Sequence, residues 1–184
     1  MNTLPAVFKL EEADYSLYRD FLHECIEYSL RATAAYLAPP SEKSKEAFYN
    51  WLQSNTVFIC NRNSRNIGFV VIATSDSDID PVMNVTFFVH PKVCKLATIT
   101  VARAAAVLAH CEMSSNNLSR FMSSTIHTLV YTVFASFFDI KPLKHGNMYY
   151  ISCISNLERM MNNLKSNYEQ DEVKSYFEMY NLTY

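Results

Sequence analysis

The chain has 184 residues, of which 49% are apolar and only 18% are charged, so its composition suits one folded domain and excludes a disordered protein. Sixteen basic residues oppose eighteen acidic ones and leave a net charge of −2 with no basic run. This balance argues against nucleic-acid binding, because phosphate contacts supply most of that affinity. Aromatic residues reach 14%, which predicts that some of them serve a partner surface.

The cysteines and the N-terminal segment predict a cytoplasmic protein. Five cysteines are scattered along the chain without a CxxC pair, so neither a zinc site nor a redox motif is indicated. The first 15 residues lack the apolar core of a signal peptide, and we find no run of about eighteen apolar residues that would predict a membrane span. Only two glycines occur, Gly68 and Gly146, which excludes Walker loops and Rossmann fingerprints.

The predicted elements begin with a short strand over residues 7–10. Apolar residues from Leu17 to Leu30 then recur at three- and four-residue steps and predict an amphipathic helix, which two prolines end. Ser41 is the predicted N-cap of a second helix. Its predicted buried stripe consists of Ala47, Phe48, Trp51 and Leu52.

Strands and helices alternate in the rest of the chain. Residues 56–60 and 67–74 are rich in β-branched and aromatic residues, and the polar turn between them predicts a hairpin. The later predicted elements are a strand over 82–89, an alanine-rich helix over 96–111, a strand over 118–123, an apolar helix over 126–137, a strand over 148–154, and helices around 157–164 and 173–180. Strands mixed with helices in this way predict an α/β protein whose mixed sheet has helices on both faces.

No metal site is predicted. The alternating aspartates of residues 76–80 lack the glycine and the distal glutamate of a calcium loop, so we interpret them as a solvated turn. The His110-Cys111-Glu112 step has no second ligand pair at metal spacing and is interpreted as structural.

The order of elements resembles the GNAT superfamily of N-acetyltransferases. FKLEEADYSLYRDFL is similar to the first strand and helix of that family, and NIGFVVI with MNVTFFVHPKV is similar to its central strands, which end in a Val-x-Pro step. FFDIKPLKHGNMYYIS is similar to its closing segment. The resemblance implies a mixed, mostly antiparallel sheet flanked by helices over 1–155, with extra C-terminal helices over 156–184 that pack on it or dock a partner.

The resemblance also implies an acetyl-CoA site after the Val-x-Pro step of residues 89–91. The family writes this loop Gln/Arg-x-x-Gly-x-Gly/Ala, and its backbone N–H groups bind pyrophosphate at a helix N-terminus. The aligned residues here are 94–99, with Ala97 at the first glycine and the β-branched Ile99 at the second, so the loop looks degenerate. The residues that the resemblance assigns to acetyl-CoA are Phe88, Val89, Lys95, Ala97 and Thr98.

The catalytic positions of the family are also altered. Its tyrosine acid aligns with Val133 or Ala135, while Tyr131 lies nearby at a different offset along the helix. The third strand contains no glutamate base. His90 and His127 have the pKa range of a base, and a loop or cap role is the alternative for each. In an enzyme, Tyr131 and His127 are therefore the candidate catalytic residues.

Two functions follow. The favoured one is a non-catalytic interaction or structural protein without a cofactor, which meets a partner protein or a second copy through its C-terminal aromatic helices; packing of these helices on the domain is the alternative. The aromatic residues in question are Tyr168, Tyr176, Phe177, Tyr180 and Tyr184. Degenerate members of the fold occur in phage genomes, some among virion genes, so the analogy extends to a phage virion component. The other function is an N-acetyltransferase that moves an acetyl group from acetyl-CoA to an amine.

Overall fold

In the computed structural model of the chain, the described residues are 2–33, 42–74, 82–93, 95–125, 128–145 and 148–184. They form seven β-strands, six α-helices and a single-turn 3₁₀ helix over Glu12–Asp14. In chain order the strands and α-helices are β1 (Ala6–Lys9), α1 (Tyr15–Thr33), α2 (Glu42–Gln53), β2 (Thr56–Arg62), β3 (Arg65–Thr74), β4 (Met83–Val89), α3 (Lys95–Ser115), β5 (Arg120–Thr125), α4 (Thr128–Phe137), β6 (Asp139–His145), β7 (Met148–Ile154), α5 (Leu157–Asn167) and α6 (Gln170–Glu178).

The strands form one mixed sheet in the order β1-β2-β3-β4-β5-β7-β6. All neighbouring pairs are antiparallel except β4 and β5, which are parallel because α3 connects them across the sheet. The predicted fold class, a mostly antiparallel mixed sheet flanked by helices, is confirmed. The predicted β2–β3 hairpin is present, and its turn residues Asn63 and Ser64 both have positive φ, at 52° and 60°. Two-residue hairpin turns with this backbone match the right-handed twist of the strands.

The sheet separates two buried clusters. On one face α1 and α2 pack on the first strands through residues such as Leu22, Cys25 and Leu52. On the other face α3, α4, α5 and α6 form the main core cluster. The alanine-rich α3 is buried along most of its length, since its small side chains allow close packing. Among the described residues, the helical segment 96–115 alone is long and apolar enough to cross a membrane, by length and composition only. Of its apolar window, 72% is buried inside the protein.

The predicted buried stripe of α2 is partly wrong. Leu52 is buried as expected, but Ala47 is exposed and Trp51 lies at the edge of the core with 36% exposure. Tyr49 takes the inner position instead, with its ring edge-on to that of Tyr15 at 6.0 Å. The Tyr49 ring also packs edge-on against His23 at 5.8 Å, and the Tyr15 hydroxyl donates a 2.9 Å hydrogen bond to the Leu52 carbonyl at the end of the helix, so contacts with α1 accompany this orientation of α2.

Strand β6 was not predicted. Its sequence, DIKPLKH, carries a proline and two lysines and lacks the alternation typical of a strand. It pairs with β7 and forms one edge of the sheet, where a proline is tolerated because one side of the strand needs no backbone donor.

The C-terminal helices pack on the domain and contact its N-terminal segment. Tyr168, Tyr176 and Phe177 are buried in the main core cluster, so these rings serve packing within the chain. The Tyr176 hydroxyl donates to the Pro5 carbonyl at 2.6 Å, and the Leu4 N–H donates to a carboxylate oxygen of Glu172 at 2.9 Å. A partner bound through the C-terminal helices stays a prediction.

Gly68 allows α3 to pack closely on the sheet. A Cβ at this position would collide with the Phe88 carbonyl oxygen of β4 and would lie 3.1 Å from Cγ2 of Val101 in α3 and 3.2 Å from Cα of Val89. The missing side chain therefore keeps α3 close to the end of β4.

We expect Gly68→Ala to lower the free energy of unfolding by about 2 kcal/mol or more, because the added methyl group must displace backbone as well as a side chain. Urea denaturation followed by circular dichroism would measure the loss. Thr74→Ala, at the exposed end of the same strand, is the control and should change stability by less than about 0.5 kcal/mol. Equal stability of Gly68→Ala and the parent chain would contradict the packing described.

Because several cysteine thiols are buried, we expect the folded chain to lose stability at alkaline pH. Burial raises the pKa of Cys111 and of Cys153 to about 12, and it also raises the pKa of Cys25 and Cys60. Their stabilising contribution is complete below about pH 9 and is lost above it, because thiols then ionise in the unfolded chain but not in the folded one. Each thiol can remove up to about 1.4 kcal/mol per pH unit.

We therefore expect the free energy of unfolding, measured by urea denaturation under reducing conditions, to fall by at least about 3 kcal/mol between pH 8 and pH 10.5. Cys153→Ala should make the pH dependence shallower. A flat profile over this range would show that the thiols titrate alike in both states.

Candidate functional site

The two central strands of the sheet diverge. Among the described residues, β4 and β5 pair only through Met83 with Phe121 and Asn84 with Met122, at the start of both strands. On their outer sides β4 stays paired with β3, and β5 with β7, along their whole lengths. The sheet therefore opens toward the C-terminal ends of β4 and β5 while its flanks remain closed.

The opening leaves backbone groups of β4 without a neighbouring strand. Successive residues of an antiparallel pair point their N–H and C=O groups alternately toward and away from the partner strand. The His90 N–H donates to the Ile67 carbonyl of β3 at 2.9 Å, so alternation turns the backbone groups of Phe87 and Val89 toward β5. In the described part of the chain neither has a backbone partner there, because β5 pairs only with the first two residues of β4.

Ser123 bridges the base of the opening. Its buried hydroxyl donates to the Val85 carbonyl at 2.8 Å. This bond shows directly that the Val85 carbonyl faces β5, as the alternation requires, and it replaces a strand-to-strand bond that the diverging backbones do not form. The unpaired stretch of β4 therefore comprises the residues beyond Val85, namely Phe87 and Val89.

His90 fastens the loop after β4 to helix α1. Its ring stacks on Phe21, with centroids 5.4 Å apart and planes inclined by 6°. The Nδ1 atom accepts a 3.3 Å hydrogen bond from the Lys92 N–H, so in the neutral ring Nε2 carries the proton and donates to Glu24 Oε2 at 3.0 Å. The Lys92 ammonium lies 3.5 Å from the same carboxylate oxygen. Both ring nitrogens are engaged, so His90 has the loop role considered above and no free nitrogen for a base.

The N-terminus of α3 follows this loop. The helix runs from Lys95 to Ser115, so the N–H groups of its first turn have no partner within the helix and carry the positive end of its dipole. Ala97 is buried and Thr98 is half-buried in this turn, while the side chain of Lys95 lies outside the described residues. Three of the residues assigned to acetyl-CoA by resemblance thus lie at the helix N-terminus.

The Ile99 substitution has a smaller effect on the site than the sequence indicates. Because the helix already begins at Lys95, the N–H of Ile99 falls within the i to i−4 bonding pattern and is not one of the free donors. Its side chain is half-buried and packs against the main core cluster. A β-branched residue at this position therefore does not remove a donor from the helix N-terminus.

The other predicted site residues are dispersed. Phe88 lies in the core on the α1 and α2 face, stacked on Phe69 at 4.7 Å and edge-on to Phe48 at 5.6 Å, so its side chain does not enter the opening. Tyr131 is half-buried on α4 against the main core cluster, and His127 lies outside the described residues. In the described part of the chain, no three His, Cys, Asp or Glu side chains are grouped to hold a metal ion.

The fold is similar to that of solved acetyltransferases. A putative acetyltransferase from Salmonella typhimurium, solved with its cofactor acetyl-CoA, shares 13% identity and superposes with a TM-score of 0.58 over 83% of this chain and 94% of that one. A ribosomal-protein-alanine N-acetyltransferase from Brucella melitensis shares 11% identity, with a TM-score of 0.56 over 81% and 99%. An apo nucleotide-linked sugar GNAT shares 12% identity, with a TM-score of 0.58 over 89% and 94%.

No family model and no curated protein matches the sequence. The likeness is therefore one of structure, and it establishes that the chain has the GNAT fold, as the order of its elements predicted.

Two features of the site were not found by sequence reasoning. Glu24 lies 66 residues before His90, and no local pattern indicates that pairing. Phe87 was overlooked because its contribution is a backbone group, which depends on the pairing of the strand rather than on the identity of the side chain. Backbone groups alternate in direction along residues 82–89, and counting back from the Val-x-Pro step would have identified Phe87 as facing the opening.

We expect Glu24→Ala to lower the free energy of unfolding by about 1 kcal/mol, since it removes the acceptor of His90 and the partner of Lys92. Long-range ¹H–¹⁵N correlation spectra should show a single His90 tautomer, protonated at Nε2, in the parent chain and a mixture in the variant. Asp20→Ala, on an exposed position of the same helix, should leave the ring spectrum unchanged. A mixture of tautomers in the parent chain would refute the loop assignment.

Proposed function

We propose that the chain binds an acyl-CoA, with acetyl-CoA as the simplest case, in the opening between β4 and β5 and transfers the acyl group to an amine. The observation that carries the proposal is the pair of unused backbone segments, Phe87 and Val89 in the strand and the first turn of α3 beside it. A ligand with amide groups and a pyrophosphate has the acceptors, donors and negative charge that these groups require.

The residues present fit such a ligand. The N–H and C=O groups of Phe87 and Val89 are spaced like those of a strand edge, so an extended amide chain can complete the pairing that β5 leaves open. The N–H groups of Lys95, Leu96 and Ala97, the first three residues of the helix, offer a site for anionic oxygens, favoured by the dipole of a 21-residue helix. Bound there, acetyl-CoA would supply an activated acetyl group.

The chain's own contribution to transfer is mainly positional. Holding the thioester beside an amine converts an encounter of two molecules into a reaction within one complex. Tyr131 on α4 is the candidate to hold a proton at its phenolic oxygen for the departing thiolate. Since both nitrogens of His90 are engaged, the attacking amine would lose its proton to water rather than to this side chain.

Support from the comparisons is limited to the fold. The Salmonella protein binds acetyl-CoA, and the Brucella protein is an N-acetyltransferase, on the same arrangement of strands and helices. At such low sequence identities the structural similarity does not identify the molecule that accepts the acyl group. We therefore name only an amine, the general class of acceptor expected from the fold.

A second candidate is a non-catalytic interaction protein that keeps the fold. The observations that favour it are the absence of a tyrosine where the resemblance places the acid, at Val133 or Ala135, and the engagement of His90 by Glu24 and Lys92. A location in a phage virion belongs with this candidate and rests on analogy alone. Measurements of binding and of turnover separate the two candidates.

Isothermal titration of the purified chain with acetyl-CoA tests the binding step, and we expect a dissociation constant in the micromolar range, on the order of 1–100 μM. Thr98→Glu should weaken binding by at least about tenfold, because it places a carboxylate among the N–H groups of the first turn. Ala97→Glu should do the same, with circular dichroism to verify folding at this buried position. Ser114→Glu, at the exposed far end of α3, is the matched control and should bind like the parent chain.

Absence of detectable heat at millimolar acetyl-CoA would reject the binding proposal, and so would an equal loss in Ser114→Glu. If acetyl-CoA binds, release of free thiol in the presence of a panel of primary amines decides between the candidates. Turnover that falls in Tyr131→Phe while the dissociation constant is unchanged would support an acyltransferase. Binding without thiol release would instead favour the interaction protein.

A further inference from the structure

A polar groove of about 830 Å³ lies between α3, α4 and α5. This volume is within the range of small-molecule sites in proteins. Residues of these three helices and Asn2 line the groove, whereas Phe87, Val89 and Ser123 of the β4–β5 opening do not. The groove therefore does not include the β4–β5 opening, and one of its walls is α5, which follows the segment that resembles the acetyltransferases.

Arg103 supplies an unneutralised charge to this groove. It is half-buried, and its guanidinium carbon lies 6.0 Å from the ring centroid of Tyr168. In the described part of the chain, its guanidinium has no ion-pair or hydrogen-bond partner. A guanidinium carries five N–H donors in a planar fork that matches a carboxylate or phosphate group. Partial burial makes such a match more favourable than it is in open water.

The other charges of the groove differ from Arg103. Arg159 is held by Asp139 at 3.0 Å and by the Phe138 carbonyl at 2.8 Å, so its charge is already balanced. Glu158 is exposed on the lining. Arg103 is thus the cation of the groove whose donors are available to a ligand.

Side-chain amides that line the same groove offer neutral hydrogen bonds. Asn163 donates to the Ser136 carbonyl at 2.8 Å and accepts from the Asn167 amide at 3.0 Å, which fixes both side chains. The Oδ1 of Asn167 remains as an acceptor, and the amide of Asn162 has no hydrogen-bond partner in the described part of the chain. Such groups suit hydroxyls, which both donate and accept.

We propose that this groove binds a small polyhydroxyl compound carrying one phosphate or carboxylate group, with the oxyanion on Arg103 and hydroxyls on Asn162 and Asn167. The volume of the groove, the available guanidinium and the amide groups of Asn162 and Asn167 together define this ligand class. The site does not depend on acetyl-CoA binding, and its test involves no acyl-CoA.

Titration of the ¹⁵N-labelled full chain at constant ionic strength tests the proposal, with D-glucose 6-phosphate, D-glucuronate and D-glucose as probes. We expect saturable amide shifts around Arg103 and along 162–167 with at least one charged sugar below about 10 mM. The neutral sugar should bind at least about tenfold more weakly, since it lacks the charge-assisted contact. A stronger response to the phosphate or to the carboxylate identifies which oxyanion the groove prefers, and either supports the proposal.

Three variants locate the effect. Arg103→Gln should weaken binding of the charged sugar at least about tenfold, and Arg103→Lys should retain part of it. Lys165→Gln makes the same change of charge on an exposed residue of α5 that does not line the groove, and it should bind like the parent chain. Shifts that do not saturate, equal binding of D-glucose, or an equal loss in Lys165→Gln would overturn the proposal.

Discussion

Two strands that lie side by side within a sheet normally satisfy each other's backbone groups, and in the part of the chain that the structure describes β4 and β5 do so over only two residue pairs. A buried backbone amide group without a hydrogen-bond partner costs free energy of folding. Here the Ser123 hydroxyl donates a hydrogen bond to the Val85 carbonyl, and the backbone N–H and C=O groups of Phe87 and Val89 point into the opening. The arrangement is stable because β3 and β7 hold the outer sides of the two strands, so the divergence is confined to one seam.

The elements around this seam keep its geometry fixed. On one side, Gly68 allows α3 to approach the end of β4, which brings the helix N-terminus beside the unpaired backbone. On the other, the His90 ring lies on Phe21 and donates to Glu24 of α1. Helices α3 and α1, which lie on opposite faces of the sheet, therefore both constrain the end of β4 and the loop after it. The ligand site proposed above consists of backbone groups that these side chains position, so it depends little on the identity of the side chains in the loop.

Local patterns predicted most of the fold, because amphipathic spacing and β-branched runs report burial directly. They failed where contacts with residues distant in sequence determine the local structure. Strand β6 is stabilised by pairing with β7 despite Pro142 and its lysines, and Tyr49 takes the core position expected for Trp51, where its ring packs on Tyr15 and His23 of α1. The site was less predictable than the fold. A loop motif judged by residue identity made Ile99 look prohibitive, whereas the helix start at Lys95 removes its N–H from the free donors. The groove at Arg103 joins three helices that are distant in sequence.

The contacts between the first residues and the last helix also affect the order of folding. Leu4 and Pro5 bind Glu172 and Tyr176 across separations of 168 and 171 residues. Contacts of such long range form late, because the intervening chain must first be ordered. During synthesis, the N-terminal strand can pair with β2 long before α6 exists, but Asn2, Leu4 and Pro5 bond to residues 167–176, which are made last. Elongation rate and chaperone access should therefore influence how this chain reaches its native state more than they would for a sheet closed by local hairpins.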